Sequence, residues 1–146
     1  MADNIKECAE LRDFVASHNG RRPTPEETYE LSGILVRAIV QKQTIYAVAT
    51  LEALQEMFKS GGIDRFVVRD SSFFPGQCLV LCTDNSQISS IGQILSGLAL
   101  PIHRAFDVAI DGGSVVGVVF NPALNGGLEI PVLALKFLRD KLTGKI

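Results

Sequence analysis

The chain has 146 residues, of which 47% are hydrophobic and 21% are charged, and its formal net charge at pH 7 is -2. A chain of this size and composition can bury its own core and differs clearly from a disordered protein. A charge so close to zero provides no field for nucleic acid or an acidic membrane, which we therefore exclude as partners. The one basic pair, Arg21 and Arg22, we interpret as part of a solvated loop.

We expect a single domain over 1–146, with a helical N-terminal segment at 1–43 and a sheet-and-helix core at 44–142. The N-terminus is polar, and no run reaches the roughly 18 apolar residues of a membrane span, so we predict a cytoplasmic protein. Of the three cysteines, Cys78 and Cys82 stand on one predicted strand. They would be about 13 Å apart there, which is too far for a disulfide.

Two helices are predicted before the first strand. The spacing of apolar residues over 5–17 is typical of one helical face, and this helix ends beside His18, where a capping role or exposure is expected rather than catalysis. Thr24 and Glu27 form a capping box around a proline at the first helical position. This is the clearest local signal in the chain, and it predicts an amphipathic second helix.

The middle of the chain predicts strands and helices in alternation. The runs 44–50 and 63–70 are rich in β-branched residues and predict strands, with a short helix between them. The run 77–83 is almost continuously apolar, which is typical of a central strand buried on both faces. A capping box at Asp84 then opens a helix whose apolar face extends to Leu98.

The last third predicts an antiparallel hairpin and a final helix. Two extended runs within 105–120 flank Asp111 and Gly112, and Asp-Gly between apolar runs is a strong hairpin signal. A short strand follows at 128–130, and Pro131 opens the last helix. The predicted fold class is α+β, with a mixed four- or five-stranded sheet that contains an antiparallel hairpin and is packed by helices, two of them at the N-terminus.

Catalysis has one candidate grouping, which consists of Cys82, His103 and Asp107. A nucleophilic thiol needs a base and an orienting group, and the chain has only two histidines. Cys82 lies in a predicted buried strand, where cysteine is usually inert, so we predict that the chain is not an enzyme. A small-molecule-binding domain or thiol-dependent enzyme centred on Cys82 and His103 is the alternative. The cysteine, histidine and glycine spacings match no metal site or phosphate loop, so neither a metal nor a cofactor is predicted.

Adjacent aromatic residues, Phe73 and Phe74, precede Pro75 in a predicted loop between strands. Two neighbouring side chains on extended backbone cannot both face the core. Either both rings fold over the sheet edge, or the loop forms an interaction patch, since exposed aromatic residues are enriched at protein interfaces.

The runs LVLCTDNSQISSIG (79–92) and VVGVVFNPALNGGLEI (115–130) resemble the N-terminal domain of the SseB family, the proteins named as type III secretion enhancers. That family shows an apolar strand ending in Phe-Thr-Ser or Phe-Thr-Asp before a helix, and later a strand ending in Asn-Pro. Here Cys82 precedes Thr83 and Asp84 in place of the aromatic residue, and Asn121 precedes a proline. The run VRAIVQKQTIYAVA is also similar to the helix that leads into the family's first strand.

The resemblance covers roughly residues 25 to 142 and implies an α+β domain without catalytic activity. Together with the residues, it predicts a non-catalytic protein-interaction or accessory domain of a bacterial cytoplasmic protein. The predicted partner is another protein or a second copy of the chain, held by a sheet edge or by the loop at Phe73, Phe74 and Pro75.

Overall fold

Two helices precede the first strand, and strands and further helices follow them in mixed order. The structure, a computed structural model, describes residues 8–18, 20–60, 66–92, 95–112, 115–124 and 126–144. In chain order, the elements are α1 Ala9–Ala16, α2 Pro25–Val40, β1 Thr44–Thr50, α3 Leu51–Ser60, β2 Val68–Asp70, β3 Gln77–Cys82, α4 Asn85–Ile91, β4 Leu95–Pro101, α5 Ile102–Gly112, β5 Gly117–Phe120, β6 Leu128–Pro131 and α6 Val132–Leu142.

The sheet has the strand order β4-β1-β3-β5-β6, and β2 also pairs with β3. The neighbours β3 and β5 are parallel, whereas every other pair is antiparallel. The sheet is therefore mixed, and the predicted α+β class is confirmed. The apolar run 77–83 forms the central strand β3, as predicted, and residues 78–82 are all buried.

Both faces of the sheet are covered in the centre. Leu79 and Leu81 of β3 point into the larger core, to which α1, α2, α3, α5 and α6 contribute. Cys78, Val80 and Cys82 alternate with them and point into a smaller core, which Ile88 of α4 helps to fill. This alternation follows from the two-residue period of a strand.

The junction between α1 and α2 is organised by the carboxylate of Glu27. The predicted capping box is present, since the Thr24 backbone N–H donates to Glu27 at 2.9 Å and the Glu27 N–H donates to the Thr24 hydroxyl at 3.1 Å. Arg21 donates to both carboxylate oxygens at 2.8 and 2.9 Å. His18 lies two residues after the end of α1 and is buried rather than exposed. Its Nδ1 donates to the Phe14 carbonyl at 2.8 Å, and its Nε2 lies 3.1 Å from Glu27.

The helix predicted from Asp84 to Leu98 is wrong beyond Ile91. Gly92 takes extended backbone, and residues 95–101 form β4, which pairs with β1 along its whole length. Leu98 and Leu100 pack against the larger core while Leu95 and Ala99 pack against the smaller one, which is a two-residue period. The apolar residues fitted a helical period as well, and pairing with β1 decides between the two.

The hairpin predicted around Asp111 and Gly112 is also wrong, because both residues lie at the end of α5. The buried side chains of this segment recur at intervals of three, four and seven, which is helical spacing; they are Ile102, Ala105, Phe106 and Ala109. The antiparallel pair in this part of the chain is formed instead by β5 and β6. Of the strand predicted at 63–70, residues 68–70 form β2, and 63–65 lie outside the described residues.

We predict that acidification weakens the α1–α2 junction through Glu27. Hydrogen bonds from Arg21 and then from the Thr24 backbone hold the pKa of this carboxyl well below its ordinary value of 4.5. A lowered folded-state pKa stabilises the fold above the unfolded-state value, and this contribution is lost as the pH falls below about 4.5. Glu27→Gln should therefore lower stability at pH 7 and flatten the loss of stability between pH 7 and about 3.5.

Urea unfolding followed by circular dichroism at the two pH values measures this difference. The matched control is Glu26→Gln, a neighbouring exposed carboxylate in the first turn of α2, which should retain the wild-type pH dependence. Equal pH dependence in Glu27→Gln and the wild type would contradict the role assigned to this carboxylate.

Candidate functional site

An apolar groove of about 600 Å³ opens where α5 ends and α6 begins. Ile110 of α5 and Val115 form one part of its wall, and Val132 and Leu133 of the first turn of α6 form another. Leu133 is 81% exposed, the largest exposed fraction among the large hydrophobic residues that the structure describes. The groove therefore presents apolar surface that the fold itself leaves uncovered.

The start of α6 is fixed to the sheet by its backbone. The Val132 N–H donates to the Val116 carbonyl at 2.9 Å, so the first residue of the helix continues the pairing of β5 with β6. Pro131 precedes the helix and supplies no side-chain cap. This anchoring sets the direction in which the first turn leaves the sheet, and it holds Leu133 at the groove.

The loop at 71–76 is tied down by the buried carboxylate of Glu129 on β6. This carboxylate accepts hydrogen bonds from the Ser71 hydroxyl and, at 2.9 Å, from the Ser72 N–H. The Ser71 oxygen in turn accepts the N–H groups of Phe73 and Phe74 at 3.1 and 3.0 Å. Because these bonds satisfy the loop's own backbone, both aromatic rings can project outwards from a fixed base.

Arg22 lies over the two aromatic rings of this loop. Its guanidinium carbon is 5.4 Å from the ring centre of Phe73 and 5.2 Å from that of Phe74, both within the range of a cation–π interaction. The neighbouring Arg21 is ion-paired with Glu27, whereas Arg22 has no carboxylate partner among the residues that the structure describes. The groove therefore has a positive charge at its rim that no described acid neutralises.

The predicted aromatic patch is partly exposed. Phe73 and Phe74 have 38% and 37% of their surface accessible, and Pro75 is also exposed. Phe74 lines the groove together with Arg22, whereas Phe73 contacts Arg22 without lining the groove. Whether the patch binds a partner stays a prediction.

Sequence reasoning missed most of the groove. The sequence pattern places Arg22 in a solvated loop and Ile110 in a hairpin strand, so it does not predict that either lines a groove. The only local signal for Leu133 is that it falls outside the buried stripe of α6, which includes Leu135 and Leu138. The remaining walls come from segments far apart in the chain, so no pattern within one segment points to them.

The structure does not bring together the candidate grouping of Cys82, His103 and Asp107, which the sequence offers as the alternative to a non-catalytic domain. Cys82 is fully buried in the smaller core. His103 and Asp107 belong to α5, which packs on the opposite face of the sheet through Phe106 and its neighbours. Asp107 instead accepts a hydrogen bond from Arg139 of α6 at 3.1 Å.

We predict that Cys82 does not react in the native protein. Burial, and secondarily the charge of Asp84, raises the pKa of its thiol to about 12, so only about one molecule in 10⁵ carries a thiolate at pH 7. Labelling with iodoacetamide at pH 7, read by mass spectrometry, should modify Cys82 only after denaturant is added. Rapid labelling of the native chain would instead revive a thiol-dependent function.

The motif residues that follow β3 and β5 have a structural role. The Asn121 side chain accepts the Thr83 N–H and donates to the Thr83 hydroxyl, both at 2.9 Å, and all these atoms are buried. The hydroxyl donates to Asp84, whose carboxylate accepts the N–H of Gln87 and so caps α4. This bond is the half of the predicted capping box that the structure shows. These residues join the ends of two parallel strands and need no ligand to explain them.

Within the described ranges, no group of three or more histidine, cysteine or acidic side chains lies close enough together to hold a metal ion. No helix in those ranges is both long enough and apolar enough to cross a membrane.

A scan against protein-family models and searches of curated proteins and of solved structures found no significant match to this chain.

Proposed function

We propose that this chain is a non-catalytic protein-interaction domain, and that the groove beside Arg22 binds a partner segment that combines apolar side chains with a carboxylate. The observation that carries the proposal is the pairing of an uncovered apolar wall with a cation at its rim. The resemblance to the SseB family and the bacterial cytoplasmic setting predicted from the sequence belong to the same proposal.

The composition of the wall favours a peptide segment over a polar metabolite. Pockets for small polar ligands present several convergent polar groups, which fix the orientation of the ligand. Among the described residues that line this groove, Arg22 alone is charged. Its apolar lining suits side chains such as leucine or phenylalanine, and burial of each would contribute about 1.5 to 3 kcal/mol.

The position of Arg22 favours an acidic group beside those apolar side chains. The two phenylalanine rings hold the guanidinium at one side of the groove, so less side-chain entropy is lost when it meets a carboxylate. An acidic residue near the apolar side chains of the partner would pair with the charge of Arg22, which no described carboxylate neutralises.

We predict that a random peptide library displayed on phage, selected against the wild-type chain, yields sequences with apolar residues next to aspartate or glutamate. Leu133→Ser should weaken their binding about tenfold through lost apolar contact. Arg22→Glu should weaken binding by a similar factor, about tenfold, and chiefly for the acidic peptides. Fluorescence anisotropy with the selected peptides measures both effects.

The matched control is Val40→Ser, because Val40 is 74% exposed on α2 and does not line the groove. This variant should bind as the wild type does, and circular dichroism should show that all three variants keep the fold. Failure to select any peptide, or equal binding by wild type and Leu133→Ser, would count against the proposal.

A further inference from the structure

The outer strand β4 lacks the features that usually protect a sheet edge. Its sequence, LSGLALP, contains no charged residue, and its only proline is the last residue. Natural edge strands carry charges, internal prolines or bulges, because their free backbone groups otherwise pair with another chain. The opposite edge, β6, has only four residues, includes Glu129 and ends in Pro131.

The register identifies which backbone groups of β4 face outwards. The Val48 carbonyl of β1 accepts the Val67 N–H, so the backbone groups of Val48 point away from β4. Gly97 is opposite Val48 and therefore belongs to a pair without hydrogen bonds. By alternation, Ser96, Leu98 and Leu100 bond to β1, whereas Leu95, Gly97 and Ala99 direct their N–H and C=O groups to the outer edge, where no described strand pairs with β4.

These outward groups are self-complementary about Gly97. In an antiparallel pair of two β4 strands, Gly97 would face Gly97 of the second copy, and Leu95 would face Ala99. Each of the three residues would then donate one hydrogen bond and accept one. A Cβ atom at position 97 would lie 2.6 Å from Ile88 and 2.8 Å from Tyr46, so packing on this face of the sheet disfavours a side chain at the axis.

Charges beside β4 fit the same antiparallel arrangement. A groove of about 340 Å³ runs between Leu98, Leu100 and α5, and Arg104 and Asp111 also line it. Since α5 begins where β4 ends and flanks it, Arg104 lies towards the C-terminal end of β4 and Asp111 towards the N-terminal end. These side chains are 68% and 71% exposed. Within the chain, Arg104 lies 3.8 Å from Asp107 and Asp111 lies 3.7 Å from Arg139, so both ion pairs are long.

We propose that two copies of this chain associate through β4, forming a continuous sheet across a two-fold axis at Gly97. The antiparallel arrangement brings Arg104 of each copy towards Asp111 of the other, so opposite charges meet on both sides of the axis. The apolar side chains of Leu98 and Leu100 in the two grooves become covered by the same contact. This interface does not involve the groove beside Arg22, so an experiment that contradicts one proposal leaves the other untouched.

Sedimentation equilibrium of the full chain tests the proposal. The wild type should be dimeric at about 100 μM, where even a micromolar dimer is largely assembled. Ala99→Pro removes an outward N–H and no bond to β1, and proline is tolerated on edge strands in that orientation. This variant should sediment as a monomer with an unchanged circular dichroism spectrum.

Ser96→Lys is a second variant, which keeps every backbone N–H and places a charge beside the axis. It should also be monomeric, whereas Val40→Lys, an exposed change on α2, should remain dimeric. Arg104→Asp should weaken dimerisation about tenfold, and the double variant Arg104→Asp/Asp111→Arg should restore it, because the charges are exchanged rather than removed.

A monomeric wild type at this concentration would overturn the proposal. So would a dimer that persists in folded Ala99→Pro or, if that variant loses its spectrum, in Ser96→Lys. Failure of the charge exchange to restore a dimer weakened by Arg104→Asp would overturn the antiparallel arrangement.

Discussion

The structure depends on a central strand that is buried on both faces. Residues 78–82 of β3 expose almost nothing, so each face of the sheet needs its own cover. At the end of β3, the side chain of Asn121 binds both the backbone and the hydroxyl of Thr83, which fixes the parallel neighbour β5. Because helices cover the centre of both faces, the surfaces left for recognition lie at the perimeter, one beside the start of α6 and the other along β4.

Local signals in the sequence were sufficient where one segment determines its own structure. The capping box of Thr24 and Glu27 predicts the start of α2, and the apolar run 77–83 predicts β3. Local signals failed at β4 and α5. The leucines of β4 fit both a helical and a two-residue period, and the pair Asp111 and Gly112 is typical of a hairpin turn although it lies in a helix. The structure of β4 is decided by its pairing with β1, which lies some 50 residues earlier in the chain. The residues of β4 alone do not reveal this pairing, so they cannot predict the strand.

The candidate site shows the same division between local and distant information. The exposure of Phe73 and Phe74 follows from their position in a short loop, and the sequence suggested a patch there. The groove also needs Arg22 and Leu133, which come from an early loop and the last helix. Their convergence is a property of the fold. The sequence did predict that Cys82 is buried and inert, and its burial is confirmed. The physical reason is that an apolar central strand leaves a thiol no access to water.

Two consecutive arginines hold different parts of the molecule. Arg21 binds the carboxylate that closes the start of α2, while Arg22 crosses to the aromatic loop of the sheet. The segment before residue 44 therefore supplies one rim of a groove whose walls belong to the later part of the chain. A division into a helical segment at 1–43 and a core at 44–142 follows the order of the elements but cuts through this surface. A shortened chain that kept the whole sheet would lose Arg22 and with it the positive charge that the described residues place at the groove.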